Sequence, residues 1–113
     1  MASRSERVAR NEARFRETNE RLAAWSERAG TFPAETIEFY CECGDSTCFE
    51  RLGLTRAQYE SVRAAADRFA VLPGHVVAGA ERVVEHHLDY VVVKKASDLR
   101  PILENTDPRR ERP

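Results

Sequence analysis

Residues 4 to 29, RSERVARNEARFRETNERLAAWSERA, contain no proline or glycine, and their apolar positions fall at helical spacing. Val8, Phe15 and Leu22 recur every seven residues, with Trp25 and Ala29 close by on the helical wheel, so the chain is expected to begin with one long amphipathic helix carrying a narrow apolar stripe. The rest of its surface is charged. Glu6/Arg10, Glu12/Arg16 and Glu17/Arg21 stand in the favourable i,i+4 order, which reads as a solvated face. Gly30 and Pro33 should end the helix. Asn11 and Thr18 interrupt the stripe, which favours packing along its own domain over a coiled coil with a second copy. The oligomeric alternatives are a monomer or a homodimer through this helix.

Beyond Pro33 the spacing changes. Thr36 to Tyr40 and Phe49 to Leu54 suit two short strands on either side of FYCECGDSTCFE, a strand, knuckle, strand arrangement. Thr55, with Gln58 three residues on, is a capping-box pattern for a second helix that carries Tyr59, Val62 and Ala66 on one face and ends near Asp67. Phe69 to Leu72 read as a third strand stopped by Pro73 and Gly74. ERVVE and DYVVVKK then form the arms of a hairpin, with His86 to Asp89 in its turn. SDLRPILEN allows a helical turn, and DPRRERP has too little apolar surface to order itself. The expected fold is α+β: a long N-terminal helix (1–30), a metal-binding unit (31–96) with a small antiparallel sheet and one packed helix, and a flexible tail (97–113).

A chain of 113 residues supports one modest core, and 42% apolar with 33% charged residues leaves much of it as surface. The charge is +2 over residues 1–30, −3 over 31–68 and 0 over 69–113, which argues against a strongly basic nucleic-acid surface. No apolar run approaches the roughly 20 residues needed to cross a bilayer. MASRSERVAR lacks the hydrophobic core of a secretory signal, so the chain reads as cytoplasmic. In that compartment thiols stay reduced, and a disulfide framework is the poorer account of the cysteines.

All three cysteines, Cys41, Cys43 and Cys48, lie within twelve residues as Cys-x-Cys-x4-Cys. Thiolates are soft donors that favour zinc or an iron centre over hard ions, and a structural zinc site is closed by four ligands. The histidines are His75, His86 and His87. His75 is the favoured fourth ligand because the rigid turn Leu-Pro-Gly-His can aim its ring back across the sheet. His86 and His87 read as solvent-exposed turn residues. A buried inert cluster or a redox pair at Cys41 and Cys43 are the competing readings. Glu42, Asp45, Ser46 and Thr47 look solvated, an odd setting for inert buried thiols, and the carboxylates disfavour a free thiolate pair. There is no nucleotide loop, nucleophile elbow or HExxH helix.

FYCECGDSTC, LTRAQYESVR, RFAVLPGH and RVVEHHLDYVVVKK, with the leading RNEARFRETNERL, resemble a family of small uncharacterised actinobacterial proteins with a CxC-x4-C and PGH pattern. The resemblance covers roughly residues 7 to 95, and this chain has Gln58 where the family has glutamate. It implies that Cys41, Cys43, Cys48 and His75 form one constellation, and it supplies no activity.

The expected function is a non-enzymatic intracellular zinc-binding domain, iron being the alternative metal, that acts in regulation through a protein partner contacted by Phe15, Leu22 and Trp25. A second reading is a nucleic-acid or transcription-complex adaptor using the arginines of the first helix and the tail, which the interleaved glutamates weaken. A third is a thiol-based redox sensor or small metalloenzyme.

Overall fold

The computed structural model describes residues 4–30, 35–45, 47–77, 79 and 81–109. In chain order the elements are α1 (Arg4–Arg28), β1 (Thr36–Tyr40), β2 (Arg51–Thr55), α2 (Arg56–Val62), β3 (Arg68–Val71), β4 (Glu81–His86), β5 (Val91–Lys95), a 3-10 turn (Ser97–Leu99) and α3 (Arg100–Thr106). The fold is α+β. Its strands divide into two small antiparallel sheets where one was expected: β1 pairs with β2, and β5 lies between β3 and β4. The knuckle joins them. Glu42 donates its N–H to the Ala70 carbonyl at 2.9 Å and accepts the Ala70 N–H on Oε1 at 3.1 Å, so the residue after Cys41 pairs with β3.

Burial explains the order of the strands. β5 is the central strand of its sheet, and Val91, Val92 and Val93 are all buried, as a strand covered on both faces requires. Phe69 and Val71 from β3, Leu52 and Leu54 from β2, and Phe39 from β1 complete the core, with Phe39 stacked on Tyr59 of α2 at 4.5 Å between ring centroids. The capping box forms as expected. The Gln58 N–H donates to Thr55 Oγ1 at 3.1 Å, and the Thr55 N–H donates to Gln58 Oε1 at 2.9 Å. Glutamine can therefore do here what glutamate does in such a box. α2 ends at Val62, short of Asp67, because Arg63 caps it and the chain turns to deliver Arg68 into β3.

The long helix is present, but its buried face is not the apolar stripe. Val8, Glu12, Arg16, Asn19, Glu20, Ala23 and Ser26 are buried, whereas Phe15 and Leu22 are half-buried and Trp25 is 58% exposed. At about 100° per residue the buried arc is rotated roughly a quarter turn from the expected stripe. The expected solvated face is thus partly the packing face. Glu12 pairs with Lys95 instead of Arg16, and the Arg16 guanidinium lies 3.6 Å over the Phe69 ring and donates to the Ala66 carbonyl at 2.7 Å. These partners come from distant strands and loops, so local i,i+4 spacing did not reveal them.

The segment expected as a flexible tail packs on the fold over its described part. Leu99 and Leu103 are buried, α3 docks on α1, and Arg109 bridges Glu20 and Glu60 at 2.7–2.9 Å. Two leucines suffice to dock one helical turn whose polar side remains wet. Pro33, Ser46 and the arginines of 110–113, to which sequence roles were given, lie outside the described residues.

Candidate metal centre

The site is assembled from the end of β1, the knuckle and the turn after β3. Alternation of side chains in an extended backbone sends Cys41 and Cys43 to one side and Glu42 to the other. Gly44 then passes beneath α1, where a Cβ would sit 2.9 Å from Val8 Cβ, so only glycine fits without a shift. Asp45 folds the loop back. Its Oδ1 accepts from the Thr47 N–H at 2.8 Å and from the Thr47 hydroxyl at 2.6 Å, and its carbonyl accepts the Cys48 N–H at 3.1 Å. These bonds hold the Asp45 carboxyl below its usual pKa.

Pro73 and Gly74 occupy the centre of a turn closed by the His75 N–H donating to the Leu72 carbonyl at 3.0 Å, with Gly74 at φ 88°. Proline followed by a residue of positive φ is type II turn chemistry. The turn places His75 Nδ1 3.7 Å from both Cys41 Sγ and Cys48 Sγ. The donor atoms of Cys41, Cys43, Cys48 and His75 all lie within 4.8 Å of one another. Tetrahedral zinc with Zn–S of about 2.3 Å and Zn–N of about 2.0 Å would separate sulfur and nitrogen by roughly 3.5 Å. The spacing fits such an ion, and the Cys3His group can hold a metal.

Burial is common to inert thiols and to structural metal ligands; convergence with His75 and hydrogen bonding favour ligation. The cysteines are buried, and the Leu72 N–H donates to Cys41 Sγ at 3.2 Å, a bond suited to a thiolate. Without a metal the Cys41 and Cys43 sulfurs interact directly. The hydrogen bond between them raises Cys41 and pushes the Cys43 thiol down to about 5, while burial raises Cys48. An ion would replace the protons on Cys41 and Cys48 and neutralise the charge that burial penalises. Cys43, Gly44, His75 and Val77 line an open groove beside the cluster, a route by which an ion can enter.

The four sequence-predicted ligands therefore converge. His86 and His87 lie outside the cluster, both exposed, with His87 stacked on Tyr90 at 4.3 Å and 2.9 Å from Glu85. Of the three proposed contact residues, Phe15 meets Phe49 edge-on at 6.1 Å, Leu22 packs against the core, and Trp25 is 58% exposed. Two supporting residues escaped sequence reasoning. Glu42, read as solvated, is wholly buried, and its Oε2 accepts from Asn19 Nδ2 at 3.0 Å and from the Tyr59 hydroxyl at 3.4 Å. Asn19 holds the Tyr40 N–H and carbonyl at 2.8 and 2.9 Å. The available signal for Glu42 was strand alternation, which points it away from two inward cysteines.

No helix among the described residues is long and apolar enough to cross a membrane. No protein-family model, curated protein or solved structure matches this chain, so the metal reading stands on the geometry and donor chemistry of the four residues.

Proposed function

We propose that this chain is an intracellular, non-enzymatic zinc-binding module in which one ion joins the knuckle to the Pro-Gly-His turn and so fixes two small sheets into one body. The observation that carries the reading is the approach of three sulfurs and one imidazole nitrogen to within 4.8 Å of one another. Three thiolates and a nitrogen suit zinc, and four protein donors close the tetrahedron, as in structural sites; a catalytic zinc keeps a position for water. The module acts on a protein partner. Trp25, 58% exposed, and Phe49, 69% exposed beside Phe15, offer aromatic contact area at its surface.

The test is elemental analysis of protein purified without a metal-affinity tag, together with melting in the presence of a chelator. One zinc per chain and a large fall in melting temperature on chelation are expected, since binding confined to the folded state adds directly to stability. Stoichiometric iron would retain the centre and change its metal. Absence of both metals, with melting unchanged by chelator, would overturn the proposal.

A further inference from the structure

Resting on the metal reading above, we infer that helix α1 is part of the metal centre: Asn19, Asn11 and Val8 hold the Cys-x-Cys loop in its ligating shape, so metal occupancy and helix docking are coupled.

The backbone from Tyr40 to Gly44 is gripped from α1 at both ends. At one end the Asn19 carboxamide acts as a strand partner, accepting from the Tyr40 N–H at 2.8 Å and donating to its carbonyl at 2.9 Å. At the other, Asn11 Nδ2 donates to the Gly44 carbonyl at 3.2 Å, and Val8 fills the space that a side chain at residue 44 would need. Between these grips lies Glu42, fixed by Asn19 at 3.0 Å and by the Ala70 N–H at 3.1 Å. Cys41 and Cys43 flank Glu42 directly. Rotation of either neighbouring peptide would swing a sulfur away from His75, so these contacts set the donor positions without touching the ion. Asn19 and Glu42 are positioning residues.

The coupling runs both ways because of what α1 buries. Among the described residues its packed face includes Glu12, Arg16, Asn19, Glu20 and Ser26, with Val8 and Ala23 as the buried apolar ones. Glu12, Arg16 and Glu20 are held by Lys95, Ala66 and Arg63, away from the knuckle, so the coupling runs through Asn19, Asn11 and Val8, whose directional hydrogen bonds and close contact need the loop in place. Binding at one site must favour the other by the same factor by which the other favours it. Ion loss should loosen α1. A partner that captures α1 should weaken the ion.

The test uses the full chain. In competition with a chromophoric chelator, Asn19→Ala should bind zinc about 10–100-fold more weakly than wild type, the range found when outer-shell supports are removed. Its cobalt-substituted form should show shifted ligand-field and thiolate charge-transfer bands. Thr55→Ala, which removes the α2 cap remote from α1 and the knuckle, serves as the control for lost stability alone and should keep the wild-type zinc affinity and cobalt spectrum. Equal zinc affinity and identical spectra for Asn19→Ala and Thr55→Ala would overturn the coupling and leave the metal site standing. Wild-type protein that binds no metal would remove both proposals. Should Asn19→Ala fail to fold, hydrogen exchange on the wild type decides: chelation should lower protection in α1 and in residues 41–48 together, and opening of 41–48 with α1 protection unchanged would refute the coupling.

Discussion

The cysteine knuckle and the ionic seam beneath α1 both bury polar groups, with opposite means of neutralising them. In the seam, Lys95 lies between Glu12 and Glu81, 3.4 Å from the latter, and Arg63 bridges Glu20 at 2.5 Å and Asp107. Each cation there meets its carboxylates within the chain. The knuckle gathers three thiols around an imidazole, and the Leu72 amide that serves Cys41 carries no full charge. A seam of this kind is complete when the chain folds, whereas a thiolate cluster calls for a cation from outside. Burial alone therefore does not mark a functional site. The distinguishing feature is whether the buried charge is balanced by its own neighbours.

Lys95→Met tests the self-sufficiency of the seam and should have the largest effect. With Lys95, Glu12 and Glu81 side chains all fully buried, removing the cation strands two carboxylates and should cost about 3–5 kcal/mol at neutral pH, read by denaturant unfolding. Restoration of stability by a second change, Glu12→Gln, would confirm that the loss came from stranded charge. An unaffected Lys95→Met protein would show that the seam does not matter.

Acid should separate the two regions in sign. Burial raises the Glu12 pKa well above the ordinary range, so its protonated form is the one the fold prefers. Stability missing from Lys95→Met should accordingly return as pH falls through the folded Glu12 value. The knuckle should respond the other way. Metal must displace protons from Cys41 and Cys48, whose thiols are raised, so affinity should fall on acidification by about tenfold per pH unit for each displaced proton. Chelator competition at about pH 6 and about pH 8 measures this, and a pH-independent affinity would contradict thiolate ligation.

Smaller changes sharpen how each region is seated. Gly44→Ala should cost about 1–3 kcal/mol, because its Cβ would approach Val8 Cβ to 2.9 Å and Val8 Cα to 3.2 Å and would force α1 off the knuckle. Thermal unfolding at saturating zinc reads the loss. Thr55→Ala, which removes a cap remote from either region, should cost only about 1 kcal/mol and leave metal affinity unchanged in the same competition assay.

The parts legible in the sequence are those governed by short range. The Thr55 and Gln58 box, the Pro73-Gly74 turn, the β4–β5 hairpin and the clustering of Cys41, Cys43 and Cys48 each depend on residues a few positions apart, where spacing fixes geometry. The sequence alone thus determined that a long helix, short strands and a soft-donor cluster with His75 would form. Tertiary structure decided which side of α1 is buried, that Glu42 lies inside, and that Lys95 meets Glu12. Those contacts span long intervals, 23 residues for Asn19 to Glu42 and 89 for Glu20 to Arg109, and leave no period in the chain. Hydrophobic patterning assigns charged residues to water, and only the assembled fold reveals which of them have found a partner that makes burial affordable.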